Sequence, residues 1–399
     1  MSNNLLTIDM VTNETLRVLM NNLSLVKKVN RQYDPSFAVS GAKIGSTLRI
    51  RKPNRYVVTD GPNLVVQDND EQWTTLTVST QKQIGMGFTS AEFALSLDEF
   101  KARYIDPAAS QLAATIDADV ASVYKWIGNS VGTPGATPAT SQVILSGQQL
   151  LDEMAAPREG RFAVINPAAN AALVEGTKGL FNPTGTISKQ YNTGNMGSAL
   201  GLPFDMSQSI NNFTTGSRAA SGHSVSATVS SQGATTIALT TAGATDTFKQ
   251  GDVFTVDDCY AVNPQTRQST GSLQQFCVLA DATASGSAVT LTVAPIYTSS
   301  VALATVDSFP TFGKAVVFRG AASTGYPQNL ILHPDAVTFA TADLVLPKGI
   351  DMGSRAQADG ISIRIIRDYD IGTDRLETRL DVLYGFAVQR DALACRLWG

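Results

Sequence analysis

The chain has 399 residues, 43% of them hydrophobic and 16% charged, enough for two or three domains or one elaborated domain with sizeable cores. Its 30 basic and 34 acidic residues are mixed along the sequence and leave a net charge of −4, which argues against a protein whose main business is neutralising nucleic-acid phosphates. No apolar run approaches the ~20 residues of a membrane span. The MSNNLLTIDM start lacks signal-peptide features. The scattered Cys259, Cys277 and Cys395 form neither a disulfide framework nor a CxxC pair, so synthesis in a reducing cytoplasm is expected.

Taken in order, residues 10–31 predict a short amphipathic helix with Leu16, Leu19, Met20 and Leu23 on one face and Lys27, Lys28 and Arg31 as a basic tail. Such a helix either docks on the body or forms an arm to a neighbour. Over 40–88 the period changes to that of strands. Ile44, Leu48 and Ile50 alternate with Arg49 and Arg51, and Tyr56–Val58, Leu64–Val66 and Trp73–Thr80 continue the pattern between turn signals at Lys52-Pro53-Asn54, Asp60-Gly61-Pro62 and Asp68–Glu71. This predicts an extended antiparallel hairpin with little apolar surface to bury at home, and an exposed strand edge is a pairing template.

Residues 97–127 predict one long helix with a break near its start. Ser96 and Glu99 form a capping box, Asp106-Pro107 restarts the helix signal, and Leu112, Ile116, Val120, Val123 and Ile127 share a face. Alanines keep its other sides slim, and Gly128-Asn129 ends it. At ~1.5 Å per residue the piece spans ~45 Å. A Gly/Pro/Ser/Thr loop, 128–141, marks a boundary. Ser146–Met154 and Pro167–Glu175, the latter capped by Asn166, predict helices around a strand at Arg161–Ile165.

From 222 to 312 helix signals vanish. Apolar and small polar residues alternate, with turn glycines at Gly233, Gly243, Gly251, Gly271 and Gly286. That spacing predicts a small all-β barrel or sandwich, inserted because mixed α/β character returns afterwards. Asn329–Leu332 predicts a strand, His333-Pro334-Asp335 a short helix running to Thr341, and 361–367 with 376–390 a strand pair turning at 370–374. These last strands have no local helix to lie on, and the nearest suitable face is the long helix far upstream.

Chemistry-bearing constellations are scarce. His223 and His333 have no second His or Cys at metal-ligand spacing. Gly176-Thr177-Lys178-Gly179 lacks the glycines of a P-loop, Gly85-Met86-Gly87 is a lone GxG, and there is no GxSxG elbow. Asp368, Asp370, Asp374 and Glu377 fail the calcium-loop pattern and fit a solvated turn. No catalytic residue, cofactor or metal is therefore expected. The charged hairpin stands out instead. Arg49, Arg51, Lys52 and Arg55, with Asp68, Asp70, Glu71 and Trp73, are the candidate intersubunit contact, with ion pairs between copies favoured over phosphate binding.

Several long phrases carry a resemblance. They are FTSAEFALSLDEFKARYIDPAASQLAATIDADV (88–120), RFAVINPAANAAL (161–173) with Gly179-Leu180-Phe181, the 252–276 stretch with AVNPQTRQSTGSLQQF, and NLILHPDAVTFATADLVLP (329–347). Together they resemble the major capsid protein of tailed double-stranded-DNA bacteriophages, a fold shared with the herpesvirus capsid floor, in the group with an inserted β-barrel. The resemblance implies an α+β fold with an N-terminal arm at 1–39, an extended hairpin loop at 40–88, and a peripheral domain with its spine helix at 89–139. It further implies an apical domain at 140–221 and 325–350, an inserted barrel at 222–324, and peripheral C-terminal strands at 351–399. It also implies a homo-oligomer of pentamers and hexamers in an icosahedral shell. That shell would be built with a scaffolding protein and a portal protein in the host cytoplasm, and would enclose double-stranded DNA without sequence-specific binding or any membrane. An encapsulin-like compartment and another β-rich virion protein are the alternatives. The long helix and the lack of repeats speak against a fibre.

Overall fold

The computed structural model describes residues 8–31, 46–64, 66, 71–89, 101–177, 193–299, 303–347, 349–350, 352–372 and 375–399. Ile44, Ser96, Glu99, the 97–100 helix start, Asp68, Asp70, Gly179–Phe181 and Asp374 lie outside them. The chain forms two compact units, one of 1–51, 73–120 and 337–389, the other of 52–72, 121–336 and 390–399.

The first unit holds α1 (Ile8–Asn22), β1 (Ser46–Arg51), β2 (Trp73–Val78), β3 (Thr80–Thr89) and the main helix α2 (Asp106–Ala121). A π-helical turn, Lys101–Ile105, precedes α2, and a 3-10 turn, Ser122–Trp126, follows it. The pitch changes where the sequence places its break, because Pro107 offers no N–H to the preceding turn and crowds its carbonyl. Ala109, Leu112, Ala113, Ile116 and Val120 are buried at the predicted spacing. Ile127 is extended and closes the helical run.

The same unit contains β19 (Val337–Ala342), β20 (Met352–Ala358), β21 (Ile361–Asp370) and β22 (Arg375–Val388). The long β22 pairs with β3, β19 and β21, and β21 pairs with β20. The C-terminal strands do return to the long helix. The Tyr384 hydroxyl donates to Asp119, and Lys82 of β3 pairs with the same carboxylate at 3.1 Å. The helix predicted over 333–341 is corrected. Only Pro334–Ala336 forms a 3-10 turn, and β-branched and aromatic residues make 337–342 a fully buried strand.

The N-terminal segment packs on its own body. Thr12 and Thr15 are buried on α1 and bond back to the Ile8 and Val11 carbonyls at 2.7 Å, so neither hydroxyl is orphaned. Beyond α1, buried Asp117 of α2 accepts from Ser24 N at 2.6 Å, Ser24 Oγ at 2.9 Å and Val26 N at 3.1 Å. Asn30 then bridges into β19. Bonds from Ser24 and Val26 to the Asp117 carboxylate, and main-chain bonds between Asn30 and β19, thus fix this segment to the subunit.

The second unit is built on a sheet ordered β4 (Ser130–Val131), β23 (Ala394–Leu397), β18 (Asn329–Leu332), β5 (Phe162–Ile165), β7 (Leu202–Met206) and β6 (Ser198–Ala199). Helix α3 (Ser141–Glu153) starts five residues before its predicted start. A Cβ on its Gly147 would lie 2.8 Å from Ile331 Cδ1, so the glycine sets how closely the helix approaches the sheet. Helix α4 (Pro167–Thr177) is capped as expected, with Asn166 Oδ1 accepting from Ala169 N at 3.0 Å.

Next come β8 (Asn212–Thr214), β9 (His223–Val225), β10 (Ala234–Thr240), β11 (Thr247–Phe248), β12 (Val253–Val262), β13 (Ser269–Val278), β14 (Ala282–Thr283), β15 (Ala288–Tyr297), β16 (Ala315–Phe318) and β17 (Gly325–Pro327). Six of them close a barrel in the order β10-β15-β13-β12-β16-β9. Alternate residues fill it. Phe254, Phe276, Tyr297 and Phe318 form an aromatic core with ring centroids 4.7–5.6 Å apart, in the favourable range for aromatic pairs.

Arginines brace the barrel, and two of them, Arg319 and Arg396, tie it to the sheet. Arg218 pairs with Asp252 at 2.9 Å, both fully buried, and its guanidinium lies 4.4 Å over Phe318. It also donates to the Arg319 and Gly320 carbonyls. Arg319 donates to the Ser130 and Gly132 carbonyls. Arg396 donates to the Gly251 carbonyl at 2.7 Å and to Cys277 Sγ. The sequence gives no local sign of these arginines, since each bonds across a long chain separation.

Candidate assembly surface

The hairpin begins as a two-stranded ladder. β1 pairs β2 with Arg51 opposite Trp73, Arg49 opposite Thr75 and Leu48 opposite Leu76. Period-two alternation sorts the residues by face. Leu76 and Val78 are buried against Ala340, Ala342 and Leu383, with Leu48 and Ile50 packed alongside. The base of the hairpin therefore has a home core, which corrects the expectation that it buries little within its own subunit. Packing is tight there, for a Cβ on Gly385 would lie 2.2 Å from the Thr77 carbonyl. On the other face Arg49, Arg51 and Trp73 are exposed, and the Arg49 guanidinium lies 5.7 Å from the Trp73 ring centroid.

Beyond Arg51 the ladder stops. Lys52 N still bonds the Gln72 carbonyl at 2.7 Å, but 53–64 form no strand. Strands were expected at Tyr56–Val58 and Leu64–Val66. Pro53 and Pro62 have no N–H to give, and Gly61 sits at φ +109, so β-branched residues alone do not sustain a ladder. Tyr56 is 62% exposed, Val58 93%, Leu64 90% and Val66 81%.

The eight candidate residues do not form one set. Arg49, Arg51 and Trp73 share the outer face of the ladder in the first unit. Lys52 and Arg55 belong to the second unit, where they lie near Arg390 and Asp391 and where Arg267 Nη2 donates to the Tyr56 carbonyl at 3.3 Å. Burial pulls the pKa of both Lys52 and Arg55 down. Neighbouring cations push the same way, while Asp391 opposes them. Glu71 is exposed just before β2. Arg267, Arg390 and Asp391 were not foreseen, because they lie some two hundred residues or more from the hairpin.

Among the described residues no group of three or more His, Cys, Asp and Glu could hold a metal ion, and no helix is long and apolar enough to cross a membrane. All three cysteines are buried, and burial pushes their thiols up, to about 12 for Cys259 and Cys395 and about 11 for Cys277, far from the range of a reactive thiolate. His223 is buried in the barrel wall, its Nδ1 accepting from Ala242 N at 3.2 Å while the Ala219 carbonyl lies 2.9 Å from Nε2.

A family model described as "P22 coat protein - gene protein 5" matches residues 1–396. The chain belongs to the P22 coat protein family. It is a major capsid protein, a structural protein of the phage coat, as the sequence phrases led us to expect. The match spans nearly the whole chain, and it favours a phage coat protein over the encapsulin-like reading.

No curated protein sequence matches the coat protein. Among solved structures it is similar to one from Mycobacterium phage Che8, at 12% identity and a TM-score of 0.47 over 94% of this chain and 90% of that one. It is also similar to the mature capsid of bacteriophage PhiM1, at 10% identity and TM-score 0.40 over 88% and 81%. A virus-like particle from Pyrococcus furiosus is similar at 9% identity and TM-score 0.38 over 97% of both chains. The family assignment rests on the match over 1–396.

Proposed function

We propose that this coat protein assembles as pentamers and hexamers into a closed icosahedral shell around packaged double-stranded DNA. A scaffolding protein and a portal protein assist in the bacterial cytoplasm. In this reading the hairpin loop of 40–88 lies over a neighbouring subunit. The long helix and the strands of 351–399 form the peripheral wall, residues 140–221 and 325–350 face the symmetry axis, and 222–324 are an inserted barrel. The observation that supports the hairpin's part is the row of exposed Tyr56, Val58, Leu64 and Val66 on a segment with no strand partner of its own. At ~25 cal/mol per Å² their burial against a second copy is worth several kcal/mol per subunit, and many such contacts add up in a shell. A net charge of −4 suits a wall that must enclose DNA without gripping it.

The test is assembly itself. Expressed with its scaffolding partner, the protein should give closed shells of uniform diameter by electron microscopy. Deletion of 54–72 should leave a folded subunit that assembles poorly. Shell formation unchanged by the deletion would refute the role given to the hairpin.

A further inference from the structure

The sheet of the first unit ends on β3, and that edge lacks the devices that normally blunt an exposed strand. β3 pairs with β22 in unbroken register from Thr80 to Thr89, so no bulge twists it away. It contains no proline. Its one charged side chain, Lys82, is turned to Asp119 of α2 at 3.1 Å. Among the described residues no strand pairs with its other side, and no main-chain bond leaves it except to β22. A long, straight row of unpaired N–H and C=O groups is a template for a further strand. The opposite edge of the sheet differs, for β20 carries exposed Arg355 at its middle, a charge that deters such pairing.

Nothing described in the subunit calls for the two glycines of β3. Neither Gly85 nor Gly87 has a positive φ, and no described atom lies within 4 Å of where a Cβ would stand on either. Both are exposed, as is Gln83 on the same face. A glycine inside a strand commonly marks the place where another backbone comes close. Ile84 and Met86 share the other face with Lys82 and are half-buried. Set antiparallel to a second β3 about Gly85, the strand is self-complementary. Ile84 meets Met86 on one face, and Gln83 meets Gly87 on the other. The two Lys82 side chains then fall six positions apart, ~20 Å along the strands, so no like charges oppose each other.

We propose that the free edge of β3 is a contact between copies of the chain, in which residues 81–89 of two subunits pair antiparallel and their sheets become one. Each opposed pair contributes roughly one main-chain hydrogen bond. Both subunits offer the same surface, so the contact joins two copies about a two-fold axis and cannot by itself close a pentamer or hexamer. It links subunits of neighbouring rings instead. This contact rests on the reading that copies of the chain meet in an icosahedral shell, whose symmetry supplies the two-folds, and it is separate from the part given to the hairpin.

Cysteine crosslinking tests it. Opposed residues of an antiparallel pair lie about 4.5–5.5 Å apart between Cα atoms, within the span of a disulfide. Position 85 opposes itself, and the open space at its Cβ accepts a side chain. Shells of Gly85→Cys protein treated with copper phenanthroline should therefore give dimers, and nothing larger, on non-reducing gels. The native cysteines are buried and leave a low background. Gln83→Cys alone should stay monomeric, because its two copies lie about 14 Å apart, yet co-assembled with Gly87→Cys it should crosslink. No Gly85→Cys dimer in normal shells, or equal crosslinking by Gln83→Cys alone, overturns the pairing. Hydrogen exchange of the wild-type protein reads the same contact without a substitution: every second amide of 81–89 should become protected on assembly, and unchanged exchange overturns it. Protection without the Gly85→Cys dimer means that another partner covers the edge, and the proposal fails. If the wild-type protein forms no shell, the assembly reading fails by itself. Gly85→Cys is then oxidised in concentrated solution, where a dimer upholds the β3 contact and a monomer removes it.

Discussion

Replacing Arg218 with methionine should cost about 3–5 kcal/mol, because it leaves Asp252 as a buried charge without its counter-ion. Both side chains are fully buried, 2.9 Å apart. Methionine fills much of the arginine's volume over Phe318, so lost packing contributes little. The bonds to the Arg319 and Gly320 carbonyls disappear as well. Asp252 cannot simply be discarded with its partner, since Oδ2 also accepts from Lys249 N at 2.8 Å and Gly216 N at 3.3 Å. Arg218→Met/Asp252→Asn removes both charges and keeps one carbonyl oxygen for those amides. It should cost only about 1–2 kcal/mol, the scale of ordinary hydrogen bonds. Urea unfolding followed by tryptophan fluorescence reads this well, because Trp398 lies 5.5 Å from the Arg319 guanidinium. A double substitution milder than the single is the signature of a buried ion pair. A loss below about 1 kcal/mol for Arg218→Met, or no coupling between the sites, would show that the pair does not hold the segment before β9 against the segment before β12.

Asn166→Ala should cost about 1 kcal/mol by thermal melting, through loss of the cap on α4. Gly385→Ala should cost about 1–3 kcal/mol or more, because the added methyl meets the Thr77 carbonyl and must push β22 off β2; an unshifted melting temperature would mean the strands separate freely. His333 is held neutral, its Nδ1 accepting from Asp335 N, and burial pulls its pKa below the ordinary 6.5 despite nearby Asp335. Its stabilising contribution is therefore complete above pH 6.5 and erodes as the pH falls below that value. His333→Gln should flatten this part of the acid profile, and a profile identical to that of the wild type would remove His333 from its causes.

Period and punctuation carried much of the fold. Leu112, Ile116 and Val120 announced the face of α2, Asn166 announced α4, and the alternation after 222 announced barrel strands. Residues 337–342 misled because His333-Pro334-Asp335 is a sound helix start, and only the burial of both strand faces in VTFATA decides the outcome. The hairpin misled in a different way. Tyr56, Val57 and Val58 suit a strand, yet a ladder needs donors, and prolines interrupt them on both sides. The candidate surface was only half visible. Arg49 and Trp73 lie on neighbouring strands, so their meeting follows from register, whereas Lys52 and Arg55 meet Arg267 and Arg390 through tertiary folding that no local pattern records.

The pairing of β8 with β17 places Thr214 directly opposite Gly325. The chain thus leaves for the barrel and comes back at two points only one ladder spacing apart, ~4.8 Å. A two-residue turn could bridge that gap, so the host ladder need not change for the excursion to be exchanged, shortened or given a foreign passenger. The constraint lies in the arginine contacts: a graft that omits Arg319 and Gln275 strips Ser130 of the groups that bond it, and a successful graft must supply replacements there.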